Sequence, residues 1–209
     1  MSNEGKISLN TKQLLHICKE LGIKLIVDDA SIKEQTGYYE NYNQIEASNK
    51  EWYYSEMNFE NRPSPEREKI KKFHYKEEAI KHFFLKTLKK FYFKEIHFPN
   101  NPIRNMSTFE EAKKFFDSLG IREQCYSFEK MRPQSIFAEV LESKMVVSYI
   151  DQKDKVRFST MPLTFERGIF SMYKLTYSLH LLKVVEKTYI QKGVLEKEFD
   201  DDDIESFIK

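Results

Sequence analysis

The side chains that most often do chemistry are few in this sequence and lie far apart. No two of its five histidines have the spacing that places two imidazoles on one helix face for a metal ion. Cys18 lies two residues from His16, a spacing that points the two side chains to different sides of a helix, so a cysteine–histidine nucleophile is not indicated. The histidines are His16, His74, His82, His97 and His180, and the two cysteines, Cys18 and Cys125, are too widely separated to indicate a disulfide framework or a zinc site.

Acidic and glycine motifs are equally uninformative about catalysis. Acidic runs occur at Asp28-Asp29 and at Asp200–Asp203, but neither has the loop spacing of a calcium-binding hand. The six glycines form no phosphate-binding loop, and no GxSxG nucleophile motif occurs. We therefore expect a chain that is not an enzyme, with no catalytic residue, metal ligand or cofactor. Carboxylate pairs that meet only in space keep an uncharacterised enzyme open as the last alternative.

Composition indicates a folded protein without an obvious charged partner. The chain has 209 residues, is 40% hydrophobic and 14% aromatic, and carries a formal net charge of +1. From Glu196 onward seven acids face two lysines, so the rest is mildly basic but well short of a dedicated nucleic-acid binder. The first residues lack the apolar stretch of a signal peptide, and no apolar stretch is uninterrupted enough to span a bilayer. We expect a cytoplasmic protein that does not contact the membrane.

Two segments nearly a hundred residues apart repeat the same amphipathic helix and the same ending, Leu-Gly-Ile followed by a basic residue. Each places apolar residues on one helical stripe and ends at a glycine, which favours the left-handed conformation that stops a helix. The first helix is predicted to be capped by Asn10 or Thr11, and the second by a capping box of Ser107 and Glu110. The matching positions are Leu14, Ile17, Cys18, Leu21 and Gly22, and then Ala112, Phe115, Phe116, Leu119 and Gly120.

The same series of elements follows each helix. A short β-like run, a hairpin, a further strand and a long amphipathic helix are predicted in both halves. We therefore predict an α+β protein of two tandem α-β-β-β-β-α domains, each an antiparallel sheet with helices packed on one face. The predicted strands and long helices span 25–27, 38–47, 51–59, 69–73 and 75 onward in the first half, and 124–128, 135–142, 145–150, 156–160 and 163–189 in the second.

These patterns set the predicted domain boundaries. Residues 1–96 form the first domain, 97–106 a linker rich in proline and asparagine, and 107–195 the second domain. The loop at 61–68 has no counterpart in the second half, as expected for an insertion at a hairpin tip. Residues 196–209 are predicted to be an acidic tail, a frayed, solvated end, with a short docking helix as the alternative.

Two kinds of binding surface are indicated. The segment 86–94 interleaves lysines with aromatic residues, as nucleic-acid binders do, but on a helix the lysines fall on the solvated face. The strand region of the first half is rich in tyrosine, tryptophan and glutamate, and alternate residues of a strand point to opposite faces. Some of these rings are therefore expected at the surface, where tyrosine and tryptophan are typical of protein interfaces.

The order of these residues resembles a known family. Trp52-Tyr53-Tyr54-Ser55-Glu56 leads through a turn to Phe73 and to a helix that begins Lys76-Glu77-Glu78-Ala79, after a helix that ends in Leu-Gly-Ile. This is similar to the small immunity-protein domains that accompany bacterial polymorphic toxins. Residues 11–92 carry most of the resemblance, and residues 108–182 carry it more faintly. The resemblance implies a protein that binds a cognate toxin domain and blocks it sterically, with no chemistry of its own.

We therefore predict a toxin-neutralising immunity protein, with a nucleic-acid-binding or regulatory α+β protein as the alternative; nucleic acid is not the expected partner. Trp52 and Tyr54 are the predicted aromatic anchors, and their replacement by alanine is expected to weaken partner binding without unfolding the protein. A basic target, such as a nuclease, would suit the acidic tail and the glutamates of the first half. The predicted partner-binding residues are Tyr39, Tyr42, Trp52, Tyr54, Glu56, Arg62 and Glu66.

Overall fold

The computed structural model describes residues 8–60 and 63–209. These residues form an α+β protein of five α-helices and nine strands arranged in two sheets, which confirms the predicted class. The chain divides into two compact units, each made of two segments. Unit 1 contains the residues up to Phe91 together with Glu186–Asp200, and unit 2 contains Tyr92–Val185 together with Asp201–Lys209. These boundaries do not coincide with the predicted linker at 97–106 or with the predicted start of the tail at 196.

Unit 1 is built on an antiparallel sheet of five strands in the order β1-β2-β3-β4-β5. The sequence predicted four strands, because Ser31–Glu34 looked like part of a turn. That segment forms a strand because buried Ile32 pairs with both Val27 and Ile45. The elements are α1 (Thr11–Leu21), β1 (Leu25–Val27), β2 (Ser31–Glu34), β3 (Tyr42–Ser48), β4 (Glu51–Asn58), β5 (Glu66–Phe73) and α2 (Lys76–Ile96), whose last residues belong to unit 2.

One face of this sheet is the core face. Ile32, Ile45 and Tyr54 lie opposite one another on adjacent strands, and all three are buried. Helix α2 covers this face, since the Asn43 amide donates to the Thr87 hydroxyl at 3.4 Å. The opposite face carries the alternate residues of the same strands, which are mostly half-exposed.

The ends of α1 and α3 are set by short polar motifs. Asn10 caps α1 in a capping box with Gln13, and Gly22 ends the helix with φ of 77°. The second predicted box is wrong by one residue. Thr108 caps α3 and Glu111 completes the box, because the helix begins at Phe109 and the third helical position is therefore Glu111.

Unit 2 contains a four-stranded sheet in the order β6-β7-β8-β9. Strand β6 runs parallel to β7, so this sheet is mixed and the prediction of a purely antiparallel sheet is wrong. Helix α4 lies very close to β8, because a Cβ atom on Gly168 would come within 2.5 Å of the Met145 sulfur. The elements are α3 (Phe109–Ser118), β6 (Tyr126–Ser127), β7 (Ser135–Leu141), β8 (Lys144–Ile150), β9 (Val156–Ser159), α4 (Phe165–Gln191, which ends in unit 1) and α5 (Asp201–Ile208), with short 3-10 helices at Pro102–Asn105 and Glu123–Cys125.

Both units contain a hairpin with a two-residue turn of the same kind. Asn49 and Lys50 have φ of 52° and 65°, and Glu142 and Ser143 have φ of 48° and 67°. Two successive positive φ angles are the signature of a type I′ turn, whose twist matches that of the strands that it joins. Neither turn contains glycine, so only their position between two β-like runs indicated them in the sequence.

The acidic end of the chain is not frayed as first predicted; residues Asp201–Ile208 form a short helix, as the alternative prediction had it. Helix α5 buries Ile204, Phe207 and Ile208 in unit 2. Its acidic residues face partners of the same unit: Asp201 accepts a hydrogen bond from the Tyr149 hydroxyl at 2.7 Å, and Asp202 and Glu205 both pair with Arg157. The helix forms because its apolar residues recur at helical spacing behind an acidic first turn, which suits the helix dipole.

We therefore expect Phe207→Ala to destabilise unit 2 by about 3 to 5 kcal/mol, the usual effect of removing a fully buried phenylalanine. Chemical denaturation followed by circular dichroism measures the change. Lys153→Ala, at an exposed residue of the same unit, is the control and should change stability by less than about 0.5 kcal/mol. Equal effects of the two substitutions would mean that the end of the chain does not contribute to the core.

Candidate functional site

The structure brings two of the seven predicted residues together in one groove of unit 1. Tyr39 and Tyr42 line a cavity of about 530 Å³ at the end of the sheet where β2 and β4 finish. The walls come from the loop that joins β2 to β3 and from the residues on either side of the β4–β5 turn. The lining residues are Ile26, Lys33–Tyr39, Tyr42, Phe59 and Pro63–Pro65. We call this surface the aromatic groove.

Four rings form a continuous cluster in the aromatic groove. Tyr38 meets Tyr39 edge-to-face with ring centroids 4.9 Å apart, and Tyr39 meets Phe59 at 5.7 Å in a similar orientation. Tyr42 lies 6.3 Å from the same Phe59 ring. These are favourable aromatic arrangements. Tyr38 is nevertheless 91% exposed and Tyr39 is 38% exposed, so much of the ring surface faces solvent.

The loop between β2 and β3 separates the aromatic groove from a second cavity of about 570 Å³. Both cavities are lined by Glu34, Gln35, Thr36 and Tyr39. The second cavity adds residues from the segment just before β1, from the loop and from α2. These additional residues are Ile23, Lys24, Glu40, Asn41, Thr87, Lys90 and Phe91. We call this second surface the helix groove.

Local hydrogen bonds fix the loop between the two grooves. The Gly37 N–H donates to a Glu40 carboxylate oxygen at 2.9 Å, so that the loop closes on itself. Tyr39 has φ of 61°, a left-handed conformation that is uncommon for an aromatic residue and turns the chain at the groove wall. The Phe59 N–H donates to the Asn41 side chain at 2.9 Å, which ties the loop to the end of β4.

A chain of polar contacts lies beneath this loop, on the helix side of the sheet. The Lys90 ammonium contacts the Glu34 carboxylate at 3.0 Å, and the same carboxylate accepts the Asn43 N–H at 2.6 Å. The side-chain oxygen Oδ1 of Asn43 accepts a hydrogen bond from the Tyr54 hydroxyl at 2.8 Å. Tyr54 also reaches Glu56 at 3.3 Å, and Glu56 pairs with Lys69 at 2.8 Å. We call this set the polar chain; it connects β2, β3, β4, β5 and α2.

Tyr54 is part of this polar chain and of the core, so the prediction that it is a surface anchor is wrong. Its side chain is only 1% exposed. Burial, together with the charge of Glu56, raises the pKa of its hydroxyl, which therefore remains a hydrogen-bond donor. Of three successive aromatic residues in β4, the central ring of Tyr53 points to the opposite face, where its hydroxyl donates to Glu51 at 3.2 Å.

The other predicted residues lie apart from the aromatic groove. Trp52 is half-buried near the opposite end of β4, where the Lys76 ammonium sits 4.8 Å from the centre of its ring. Glu56 belongs to the polar chain. Glu66 is exposed at the start of β5 and pairs through the backbone with Asn58. Arg62 lies outside the residues that the structure describes.

Most of the glutamates that suggested a basic partner are paired within unit 1. Glu46 pairs with Arg67, and Glu51 pairs with Lys72 at 2.6 Å, on the face of the sheet away from α2. The hydrogen bond from Lys72 lowers the pKa of Glu51, which shows that the carboxylate is stabilised in its charged form. Since each of these charges has a cation beside it, the glutamates contribute little net negative field.

Sequence reasoning missed several groove residues for identifiable reasons. Tyr38 stood in a segment predicted as a strand, whereas β3 begins only at Tyr42, so Tyr38 and Tyr39 lie on a loop. Phe59 ends a segment predicted as a strand, and Pro63 and Pro65 lie in the loop at 61–68 that was predicted to be an insertion. Lys33 and Glu34 lie in a short segment without a regular pattern, so the sequence did not indicate that they line the aromatic groove.

Within residues 8–60 and 63–209, no group of three or more histidine, cysteine or acidic residues could hold a metal ion. In the same part of the chain, no helix combines the length and the apolar character needed to cross a membrane. No protein-family model matches this sequence, and neither the curated proteins nor the solved structures include a significant match.

Because Tyr54 lies in the core, substitutions of Tyr54 and of its neighbour Tyr53 should reduce stability by different amounts. Tyr54→Ala should destabilise the protein by about 3 to 5 kcal/mol through loss of a buried ring. Tyr54→Phe should cost about 1 to 2 kcal/mol, because it leaves the Asn43 oxygen without its donor. Tyr53→Phe, which removes a hydroxyl on the exposed side, is the control and should cost less than either. Urea denaturation gives all three values, and the core assignment fails if Tyr54→Ala leaves stability unchanged.

His82 makes the stability of unit 1 depend on pH. Its ring lies 4.7 Å from the Tyr54 ring and 5.3 Å from the Phe73 ring. Burial, helped by Lys71 and Lys86, lowers the pKa of His82 from 6.5 to about 3. The unfolded chain therefore binds one more proton than the folded chain between these values. The contribution of the neutral imidazole to stability is complete above pH 6.5 and is lost as the pH falls towards 3.

We expect the free energy of unfolding to decrease with falling pH in this window, by up to about 1.4 kcal/mol per pH unit from His82 alone. His82→Phe retains a ring against Tyr54 and Phe73 and removes the titrating group, so its profile should be flatter. Denaturation at a series of pH values measures both proteins. Carboxylates titrate in both, so the difference between them isolates the imidazole; parallel profiles would refute the assignment.

Proposed function

We propose that this chain is a protein-binding module that neutralises a cognate bacterial toxin domain by steric occlusion, with the aromatic groove as its contact surface. The exposed ring cluster of Tyr38, Tyr39, Tyr42 and Phe59 is the observation that carries the proposal. Tyrosine presents a large, rigid surface with a polar tip, and such residues dominate the binding energy of protein interfaces. The resemblance of residues 11–92 to immunity-protein domains supplies the identity of the partner.

The groove supports binding without chemistry of its own. Its rings are held by contacts with one another and by a loop that local hydrogen bonds already fix, so little ordering is needed when a partner arrives. A preformed surface of this kind blocks a toxin by covering its active site or its substrate-binding surface. The proposal places this interaction in the cytoplasm, where no membrane contact is required.

A tandem origin of the two halves is part of the proposal, and internal features of each unit support it. Gly22 and Gly120 end their helices with φ of 77° and 68°, and the following residues, Ile23 and Ile121, donate to the carbonyls of Cys18 and Phe116 at 2.8 and 3.0 Å. Each helix is followed later in the chain by a type I′ hairpin and a long helix. We infer that one ancestral unit was duplicated and that an extra strand, β2, distinguishes the first copy.

The duplication gives a reason to look for the partner in unit 1. The extra strand β2 leads directly into the loop that carries Tyr38 and Tyr39, and this loop has no equivalent in the sheet of unit 2. Structural elements that differ between duplicated copies are the ones free to acquire a specific partner. The hairpins and helix endings, which are shared, serve the fold.

Coexpression tests the proposal. If a toxin gene lies beside the gene for this chain, the chain should protect cells that produce the toxin domain and should copurify with it. Tyr38→Ala combined with Tyr42→Ala should weaken the complex by roughly 30-fold or more, the effect of losing interface hot spots. Tyr75→Ala, which removes a ring that is 60% exposed away from the groove, is the matched control and should bind normally.

Thermal denaturation of the double variant separates a binding defect from unfolding. A double variant that folds and still protects cells as well as the wild type would rule out the aromatic groove as the contact surface. The absence of both protection and copurification with the wild-type chain would rule out toxin neutralisation. A salt-sensitive gel shift with RNA or DNA would favour the nucleic-acid alternative instead.

A further inference from the structure

We infer that the two grooves of unit 1 recognise an extended acidic segment of the partner protein, with Lys24 and Lys33 as its charge contacts. This deepens the proposed function, on which it rests for the assumption that the partner is a protein. It also reverses the expectation of a basic target. The inference comes from which charges in the groove walls are already engaged and which are not.

Two positive charges in the groove walls remain available. Lys33 lines the aromatic groove and Lys24 lines the helix groove. Among the interactions of the described residues, neither ammonium group has an ion pair or a hydrogen bond. Lys33 acts on Asp28 only through its charge, as a minor contribution to the lowered pKa of that carboxylate. Two lysines are therefore available to an incoming carboxylate.

The negative charges of the same walls are occupied within the unit. Glu34 is held by Lys90 and by the Asn43 N–H. Glu40 accepts the Gly37 N–H inside its own loop. Asp28, which lies outside the walls, accepts the N–H groups of Ala30 and Ser31 at 2.9 and 2.6 Å. A partner therefore meets lysines with free ammonium groups and carboxylates whose oxygens already have donors, which is complementary to an acidic surface.

The shape of the site favours an extended segment over a single side chain. The two grooves adjoin across Tyr39, and each is larger than one side chain needs, at about 530 and 570 Å³. An extended chain advances about 3.3 Å per residue and points successive side chains in opposite directions. Such a segment can place apolar side chains against the rings and carboxylates towards Lys24 and Lys33.

Single-stranded nucleic acid also combines rings with negative charge, but the walls favour a peptide. Nucleic-acid grooves follow the phosphate backbone with a continuous series of cations. Here Glu34 lines both grooves and Glu40 lines the helix groove, so the series of lysines is interrupted by carboxylates, which would face a phosphate unfavourably. An acidic peptide can place its carboxylates at the lysines and neutral residues at the glutamates.

Selection from a displayed library of short random peptides, with the immobilised full chain as bait, tests the inference without the toxin. We expect enrichment of peptides that combine aspartate or glutamate with aromatic residues or proline. A synthetic peptide of the enriched sequence should bind about tenfold more weakly to the Lys24→Glu/Lys33→Glu variant, because each reversal replaces an attraction with a repulsion. Its affinity for the wild type should decrease with added salt.

The double variant Lys12→Glu/Lys153→Glu is the matched control, since it makes the same change of net charge at exposed lysines outside the grooves. Equal weakening by both double variants, enrichment of basic peptides, or no enrichment at all would overturn the inference. If the wild type binds a labelled oligothymidylate more tightly than the acidic peptide, and the Lys24→Glu/Lys33→Glu variant does not bind it, the inference would be overturned in favour of nucleic acid. Failure of toxin neutralisation with successful peptide selection would reject the proposed function and leave the acidic specificity of the grooves intact.

Discussion

The arrangement of unit 1 depends on one buried asparagine. Asn43 is 5% exposed on the core face of the sheet, where strand alternation would usually place an apolar residue. Its backbone N–H donates to Glu34, its side-chain oxygen accepts from Tyr54, and its side-chain amide nitrogen donates to Thr87. An unpaired polar group at this depth would cost about 1 to 3 kcal/mol, so the three partners are fixed together. Asn43 thereby sets the position of β2 against β3, and of the loop above them.

The polar chain explains how a loop rich in tyrosine remains ordered enough to form a groove. Glu34 is both the last residue of β2 and the partner of Asn43, so the loop that follows begins from a fixed point. Lys90 holds the same carboxylate and also donates to the Asn41 carbonyl at 2.6 Å, at the other end of the loop. Both ends of the loop are therefore tied to one lysine of α2, and the Tyr38 ring between them is 91% exposed.

Helix endings, hairpins and the apolar stripes could be predicted from sequence because each is a local pattern. A glycine directly after an amphipathic stripe, as at Gly22 and Gly120, indicates the end of a helix without knowledge of the rest of the fold. In the same way, the β-like runs on either side of Asn49-Lys50 indicate a hairpin. Tyr54 was misassigned because alternation shows that adjacent rings face opposite sides but not which side is covered. Strand β2 was missed because only its pairing with two neighbours, through Ile32, makes so short and polar a segment a strand.

The sign of the surface charge was the property that the sequence predicted least well. A count of glutamates in β3 and β4, and of aspartates near the end of the chain, indicated an acidic surface, yet folding places a cation or a donor beside most of them. Asp201 and Asp202 serve unit 2 through Tyr149 and Arg157. In the walls of the two grooves, the charges that remain available to a partner are those of Lys24 and Lys33, and their sign is opposite to the one that the glutamate count suggested.

The separation of structural and exposed residues has a consequence for how specificity could change in this protein. The polar chain and the core face fix the frame, and changes there alter stability by the free energy of buried contacts. Tyr38, Lys24 and Lys33 lie outside that network, so their replacement changes the chemistry of the grooves at little cost in stability. Under the proposed function, this arrangement would let the contact surface follow a changing partner, because a frame that is sensitive to substitution lies beside a surface that tolerates it.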